Sequence, residues 1–144
     1  MAGGKGGTFD NDLLKLILNG VAIAGIADNA ATTPLTSFFA SLHTADPGTG
    51  GDQTTSEAAY PGYARQPVAR TSAGFTVTGA AATLTVSVIF PTATGGSETE
   101  LFCAIGTVVT GTGKILYRGP ITPSLSVTTG VAPQLTTGTT ITES

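Results

Sequence analysis

Leu35–Thr44 reads LTSFFASLHT, a β-strand with apolar groups on both of its faces. Side chains alternate across a strand, so Leu35, Ser37, Phe39 and Ser41 share one face, and Phe38, Ala40 and Leu42 the other. A strand lined on both sides belongs in the interior of a sheet rather than at its edge. Around it the chain is punctuated by 20 glycines and eight prolines. Many short runs separated by turn signals predict an all-β fold, with threonine supplying the β-branched strand residues.

Further runs fit this pattern. Arg65–Ala69 and Phe75–Thr78 are strand-like and are separated by a turn at Ser72-Ala73-Gly74. Thr83–Phe90 (TLTVSVIF) reads as one strand with Leu84, Val86 and Val88 inward, closed by Pro91 and the Thr92–Ser97 turn cluster. Leu101–Val109 and Lys114–Tyr117 form a hairpin around Thr110-Gly111-Thr112-Gly113, with Arg118-Gly119-Pro120 as its stop. Ser124–Thr128 and Thr139–Thr142 complete the set. About eight strands joined by hairpins and long crossings suit a jelly-roll β-sandwich.

One short N-terminal helix is predicted over residues 10–19. Asp10 is placed to cap it, and Phe9 and Leu14 have the spacing of a hydrophobic staple. Leu13, Leu14, Leu16, Ile17 and Leu18 supply the apolar stripe, and Asn19-Gly20 the stop. Residues 1–9 are expected to be a Gly-rich arm, either flexible or ordered by a partner. Residues 10–144 are expected to form a single β-sandwich domain with that helix. Residues 21–31 read as a strand or an irregular connection.

Composition narrows the function. The 144 residues carry a formal net charge of −3, and only 10% are charged, against about a quarter in a typical domain. No basic stripe for nucleic acid is present, and the six Lys and Arg residues are scattered. No apolar run is long enough to span a bilayer, and the N-terminal stretch has no apolar core of the kind that marks a secretory signal. So few charges leave two readings: a Thr-rich surface that is polar enough to face solvent, or a surface largely covered by neighbouring proteins. Cys103 is the sole cysteine, so no intramolecular disulfide forms; between Phe102 and Ala104 it reads as a small buried hydrophobe.

No catalytic or metal constellation emerges, and neither cofactor nor metal is expected. His43 is the one histidine and reads as a strand-end residue bonded to the following turn. A Ser-His-Asp arrangement has no local nucleophile signature. Asp46, Asp52 and Glu57 offer oxygens in a Gly-rich loop, but not at EF-hand spacing, and Asp46-Pro47-Gly48 is a simple turn. Glu98 and Glu100 share a strand face and read as a solvated, aggregation-resistant edge rather than an acid–base pair. Gly111-Thr112-Gly113-Lys114 lacks both the earlier glycine and the following Ser or Thr of a phosphate loop.

The long loop Leu42–Arg65 ends in Tyr60, Tyr63 and Arg65, residue types enriched where proteins bind one another. Two readings stay open: a partner contact, or a loop held to its own sandwich. With Lys5 and Phe9 of the arm, Tyr60, Tyr63 and Arg65 are the candidate partner-interface residues.

Several segments, in order, carry a family resemblance: NDLLKLIL, IADNAATTPLTSFFASLHTADPG, TTSEAAYPGYARQPVART, FPTATGG and GTGKILYRGPITPSLSV. They cover most of Asn11–Val127. LHTADPG followed at this distance by YARQPVART is the most specific pairing. The chain resembles the tailed-phage capsid cement and head-decoration proteins, a family that includes the Bordetella phage cement protein. Relatives are also described as phage tail-fibre proteins. The resemblance implies a non-enzymatic jelly-roll virion protein on the outer surface of the capsid. It implies a homodimer that bridges major capsid protein subunits and stabilises the shell, with no nucleic-acid or membrane partner. The alternative it leaves is a tail-fibre or tail-tip protein that contacts the host receptor.

Overall fold

The computed structural model describes residues 7–23, 27 and 33–143. Lys5, most of the expected arm and much of the 21–31 connection lie outside them. The described chain is all-β with one helix, and its sheets are antiparallel. It divides into two compact units, which the chain enters and leaves repeatedly: residues 1–36, 69–87 and 136–144, and residues 37–68 and 88–135. Among the described residues, no helix is long and apolar enough to cross a membrane.

In the first unit, helix α1 (Gly7–Asn19) packs against strands β3 (Phe75–Thr78) and β4 (Ala81–Leu84). With β9 (Thr140–Thr142) these form a sheet of order β3-β4-β9. Asp10, Leu14 and Leu18 are buried at four-residue spacing, the period that places them on one helix face. Phe75, Ala82 and Leu84 are the buried residues of the sheet. The helix starts about one turn earlier than expected. Asp10 therefore sits in its first turn, where a carboxylate meets the positive end of the helix dipole. Phe9 is helical and 39% exposed, so the predicted Phe9–Leu14 staple and the arm assignment of Phe9 are both corrected.

The stop at Asn19-Gly20 is as read: Gly20 takes φ +66°, the left-handed conformation glycine adopts at low cost. The Val21 N–H donates back to the Lys15 carbonyl at 3.1 Å. The next two carbonyls go to Arg70, whose Nη2 donates to Leu16 at 2.7 Å and Nε to Ile17 at 2.6 Å. A guanidinium on the last helical carbonyls satisfies orphan acceptors and opposes the negative end of the dipole. Arg70→Ala should cost about 1–2 kcal/mol in denaturant unfolding, and Arg70→Lys should not restore it, since an ammonium lacks the planar fork.

The second unit holds a four-stranded sheet of order β2-β1-β6-β7: β2 (Gln66–Ala69, crossing into the first unit at Ala69), β1 (Ser37–His43), β6 (Ser97–Gly106) and β7 (Ile115–Thr128). A ribbon of β5 (Val88–Ile89) and β8 (Gln134–Leu135) accompanies it. Strand β1 is interior, as its two apolar faces required, and Leu42 lies opposite Cys103. Phe38, Ala40, Leu42, Phe90, Ala104 and Val127 are among its core residues.

Two strand expectations are corrected. Thr83–Phe90 is not one strand. Val86 is 59% exposed at a bend, and the chain there passes from β4 of one unit to β5 of the other. The bend is held by Thr85, whose N–H donates to Gly74 and whose hydroxyl donates to Ser72. The hairpin's return strand, in turn, does not stop at Gly119-Pro120. It continues as β7 to Thr128. Strand β7 is at the sheet edge, where proline's missing N–H costs little, and the ladder shifts register between Glu100 and Phe102, next to Pro120.

Candidate functional site

The second unit concentrates its polar chemistry where the Thr44–Arg65 loop returns to β1. Pairing continues past the strand: Ala58 N–H donates to Leu42 at 2.8 Å and Thr44 N–H to Ser56 at 2.9 Å. Ser56 meets this geometry with φ +53°, an uncommon value for a residue with a Cβ. Short turns shape the approach. Gly48 (φ +74°) donates to Asp46 Oδ1 at 2.9 Å, the side-chain turn expected at Asp46-Pro47-Gly48, and Asp46 also pairs with Arg118. Asp52 Oδ1 accepts from the Thr54 hydroxyl at 2.6 Å and the Thr54 N–H at 2.8 Å, which lowers its pKa.

Tyr60, Tyr63 and Arg65 come together, but inside the unit. Arg65 is 5% exposed. Its guanidinium grips Glu57 with two bonds, Nε to Oε1 at 2.6 Å and Nη2 to Oε2 at 2.7 Å, and Nη1 donates to the Val108 carbonyl at 3.0 Å. The Glu57 partnership holds the guanidinium firmly protonated. The Tyr63 hydroxyl accepts from Leu42 N–H at 3.1 Å and donates to Glu57 at 3.0 Å, and burial raises its pKa. The Tyr63 ring stacks on Phe90 at 6.2 Å and meets Tyr60 edge-on at 5.4 Å. Tyr60 is 3% exposed and donates to the Pro91 carbonyl at 3.0 Å. Of the two readings of this cluster, the geometry matches the loop held to its own unit. Three N–H donors of Arg65 and the hydroxyls of both tyrosines are already engaged there.

His43 closes the network on the other side. Its Nδ1 lies 2.9 Å from the Thr55 carbonyl and its Nε2 2.9 Å from Ser41 Oγ. A carbonyl only accepts, so Nδ1 carries the proton and Nε2 accepts from the Ser41 hydroxyl. Burial lowers the histidine pKa and keeps the ring neutral. A serine on a histidine nitrogen is the start of a nucleophile–base pair. Here, however, the third group is a backbone carbonyl, and Ser41 and His43 are both fully buried. No substrate reaches that hydroxyl, and the arrangement serves as the strand-end anchor expected of His43.

Gln53 is the residue that sequence reasoning missed. Fully buried, it treats Val108 as a strand neighbour would: Oε1 accepts from Val108 N–H at 3.0 Å and Nε2 donates to the Val108 carbonyl at 3.3 Å. Its own N–H donates to Gly113 at 3.0 Å. A Cβ added to Gly106 or Gly113 would overlap the Gln53 side chain. The β6–β7 hairpin therefore keeps glycines where Gln53 passes. Gly106→Ala should cost about 1–3 kcal/mol by overpacking, read in thermal or denaturant unfolding.

Asp46, Asp52 and Glu57 point to separate partners, and among the described residues no three metal-ligating side chains converge. Cys103 is half-buried, its thiol pushed up to about 11 by burial. Glu100 is not on a solvated edge. It is fully buried on an interior strand, which corrects the expectation for the Glu98–Glu100 pair.

The family model for podophage GP4 fiber I protein gp80 matches residues 8–143. No curated protein matches the sequence. The chain belongs to the podophage GP4 fiber I family, a family of phage structural proteins, and is a structural component of the virion.

Proposed function

From that membership, we propose that the chain is a non-enzymatic subunit of a phage fibre, held in the tail apparatus by contacts with neighbouring virion proteins. The observation that carries this reading is the family match, which runs through both units from residue 8 to residue 143. The geometry supports it. The side chains with chemical potential, Ser41, His43, Glu57 and Arg65, are spent on one another and on backbone groups. A low-charge β unit suits repeated weak contacts, because many copies in one particle multiply the effective affinity.

A second reading is a head cement protein on the outer capsid surface, a homodimer bridging major capsid protein subunits. The resemblance carried by LHTADPG and YARQPVART favours it. LHTADPG leads from the end of β1 into the anchored loop, and YARQPVART carries the loop's Tyr63 and Arg65 before running on through β2, so either reading uses the same anchorage. Gold-labelled antibody on intact virions separates the two. Label on the tail supports the fibre reading; label spread over the head overturns it in favour of cement.

A further inference from the structure

Glu98 and Glu100 lie two residues apart on β6 and so share a face, on which Glu100 is fully buried. Neither Glu100 carboxyl oxygen meets a hydrogen-bond donor among the described residues. An ionised carboxylate in that position would be a buried charge with no donor, which is strongly unfavourable. Glu98 is only partly buried, and its Oε1 accepts from the Ala59 N–H at 2.9 Å.

Among the described residues, the elements around Glu100 offer it no cation. Strand β7 faces the pair with Val127 opposite Glu98 and Leu125 opposite Glu100; its Tyr117 and Arg118 lie across from Ile105 and Ala104. Strand β1 ends at His43, opposite Phe102, with its ring engaged by Ser41 and Thr55. From the loop, Glu57 is held by Arg65, and Tyr60 feels the pair directly. The Tyr60 hydroxyl is pushed up to about 12 by burial first, then by Glu100 and Glu98. Strands β5 and β8 carry no titratable side chain.

We propose that Glu98 and Glu100 share one proton in the folded protein, and that this proton latches the Ala58–Tyr63 segment onto β6. As a carboxylic acid, Glu100 donates to the Glu98 carboxylate, which in turn accepts from Ala59. Loss of the proton leaves two like charges in a closed site, and the segment bound through Ala59 is released. Burial, followed by the neighbouring Glu98, raises the Glu100 pKa to about 8. The folded value lies above the ordinary one of 4.5, so the folded state binds this proton more tightly than the unfolded chain. The contribution of this group is full below pH 4.5, declines as pH rises, and is lost above about 8. Within that window the folding equilibrium loses up to about tenfold per pH unit from this group alone.

The test is a carboxyl-carbon NMR titration of the full chain with amide exchange at Ala59, alongside unfolding of Glu100→Gln and wild type across pH. Glu100 titrating near pH 8, with Ala59 protection falling over the same range, is the expected result. Glu100→Gln should remove that part of the pH slope and stabilise the protein at high pH. A Glu100 that titrates with ordinary carboxylates overturns the proposal, as does Ala59 protection that is indifferent to its titration. The titration is made on the wild-type chain, so it decides even if the variant does not fold.

Discussion

Replacing Arg65 with alanine is expected to destabilise the protein by about 3–5 kcal/mol, because it strands a carboxylate whose partner is gone. The Arg65 side chain is 3% exposed and that of Glu57 16%. The little water that reaches Glu57 puts the effect toward the lower end. The loss extends beyond the ion pair. Arg65 also ties Val108, and Glu57 also holds the Tyr63 hydroxyl, so the loop and the β6–β7 hairpin loosen together. The double variant Glu57→Gln/Arg65→Met should cost clearly less than Arg65→Ala, since no buried charge remains. Denaturant unfolding of the three proteins checks this. A loss below about 1 kcal/mol for Arg65→Ala would place the pair with ordinary surface ion pairs and remove it as the loop's anchor.

Phe90→Ala should be comparably damaging, at about 3–5 kcal/mol, the range for emptying a buried aromatic site. Phe90 is 1% exposed and its ring lies nearly parallel to Tyr63, at 13° between planes. Removing it takes away the support beneath the tyrosine that accepts from Leu42 and donates to Glu57. Phe90→Leu refills most of the space and should cost less. The chain has three tyrosines and no tryptophan, so near-ultraviolet circular dichroism reports this packing. Phe90→Ala should flatten that signal before the far-ultraviolet β signal changes. An unaltered tyrosine signal in a stable variant would show that the stack is incidental.

What could be read from the sequence was what depends on near neighbours. The alternation in Leu35–Thr44 gave an interior strand. Asn19-Gly20 gave a helix stop, and Asp46-Pro47-Gly48 a turn, because each is decided within a few residues. Thr83–Phe90 misled because Thr85 and Val86 have strand propensity yet stand at a bend fixed by Ser72 and Gly74. Pro120 read as a stop because proline is unfavourable in a central strand, and the edge position that tolerates it is a property of the assembled sheet. The site divides the same way. Arg65 and Glu57 are close in sequence, and the Tyr-Arg cluster stood out by residue type, although not its inward orientation. Gln53 meets Val108 across 55 positions, and the burial of Glu100 depends on which strands flank β6. Neither leaves a local pattern to read.

The loop that looked most like a binding surface is thus a fastening within one unit. On the proposed reading, contacts with other virion proteins fall to residues outside that network. Cryo-electron microscopy of intact virions tests the structural assignment most directly. The fibre reading requires density fitting these units in the tail apparatus, in repeated copies, with Tyr63 and Arg65 still turned inward to Glu57. Density on the head at capsid subunit boundaries would contradict the fibre reading and establish cement. Absence of this chain from the particle would contradict a structural role altogether.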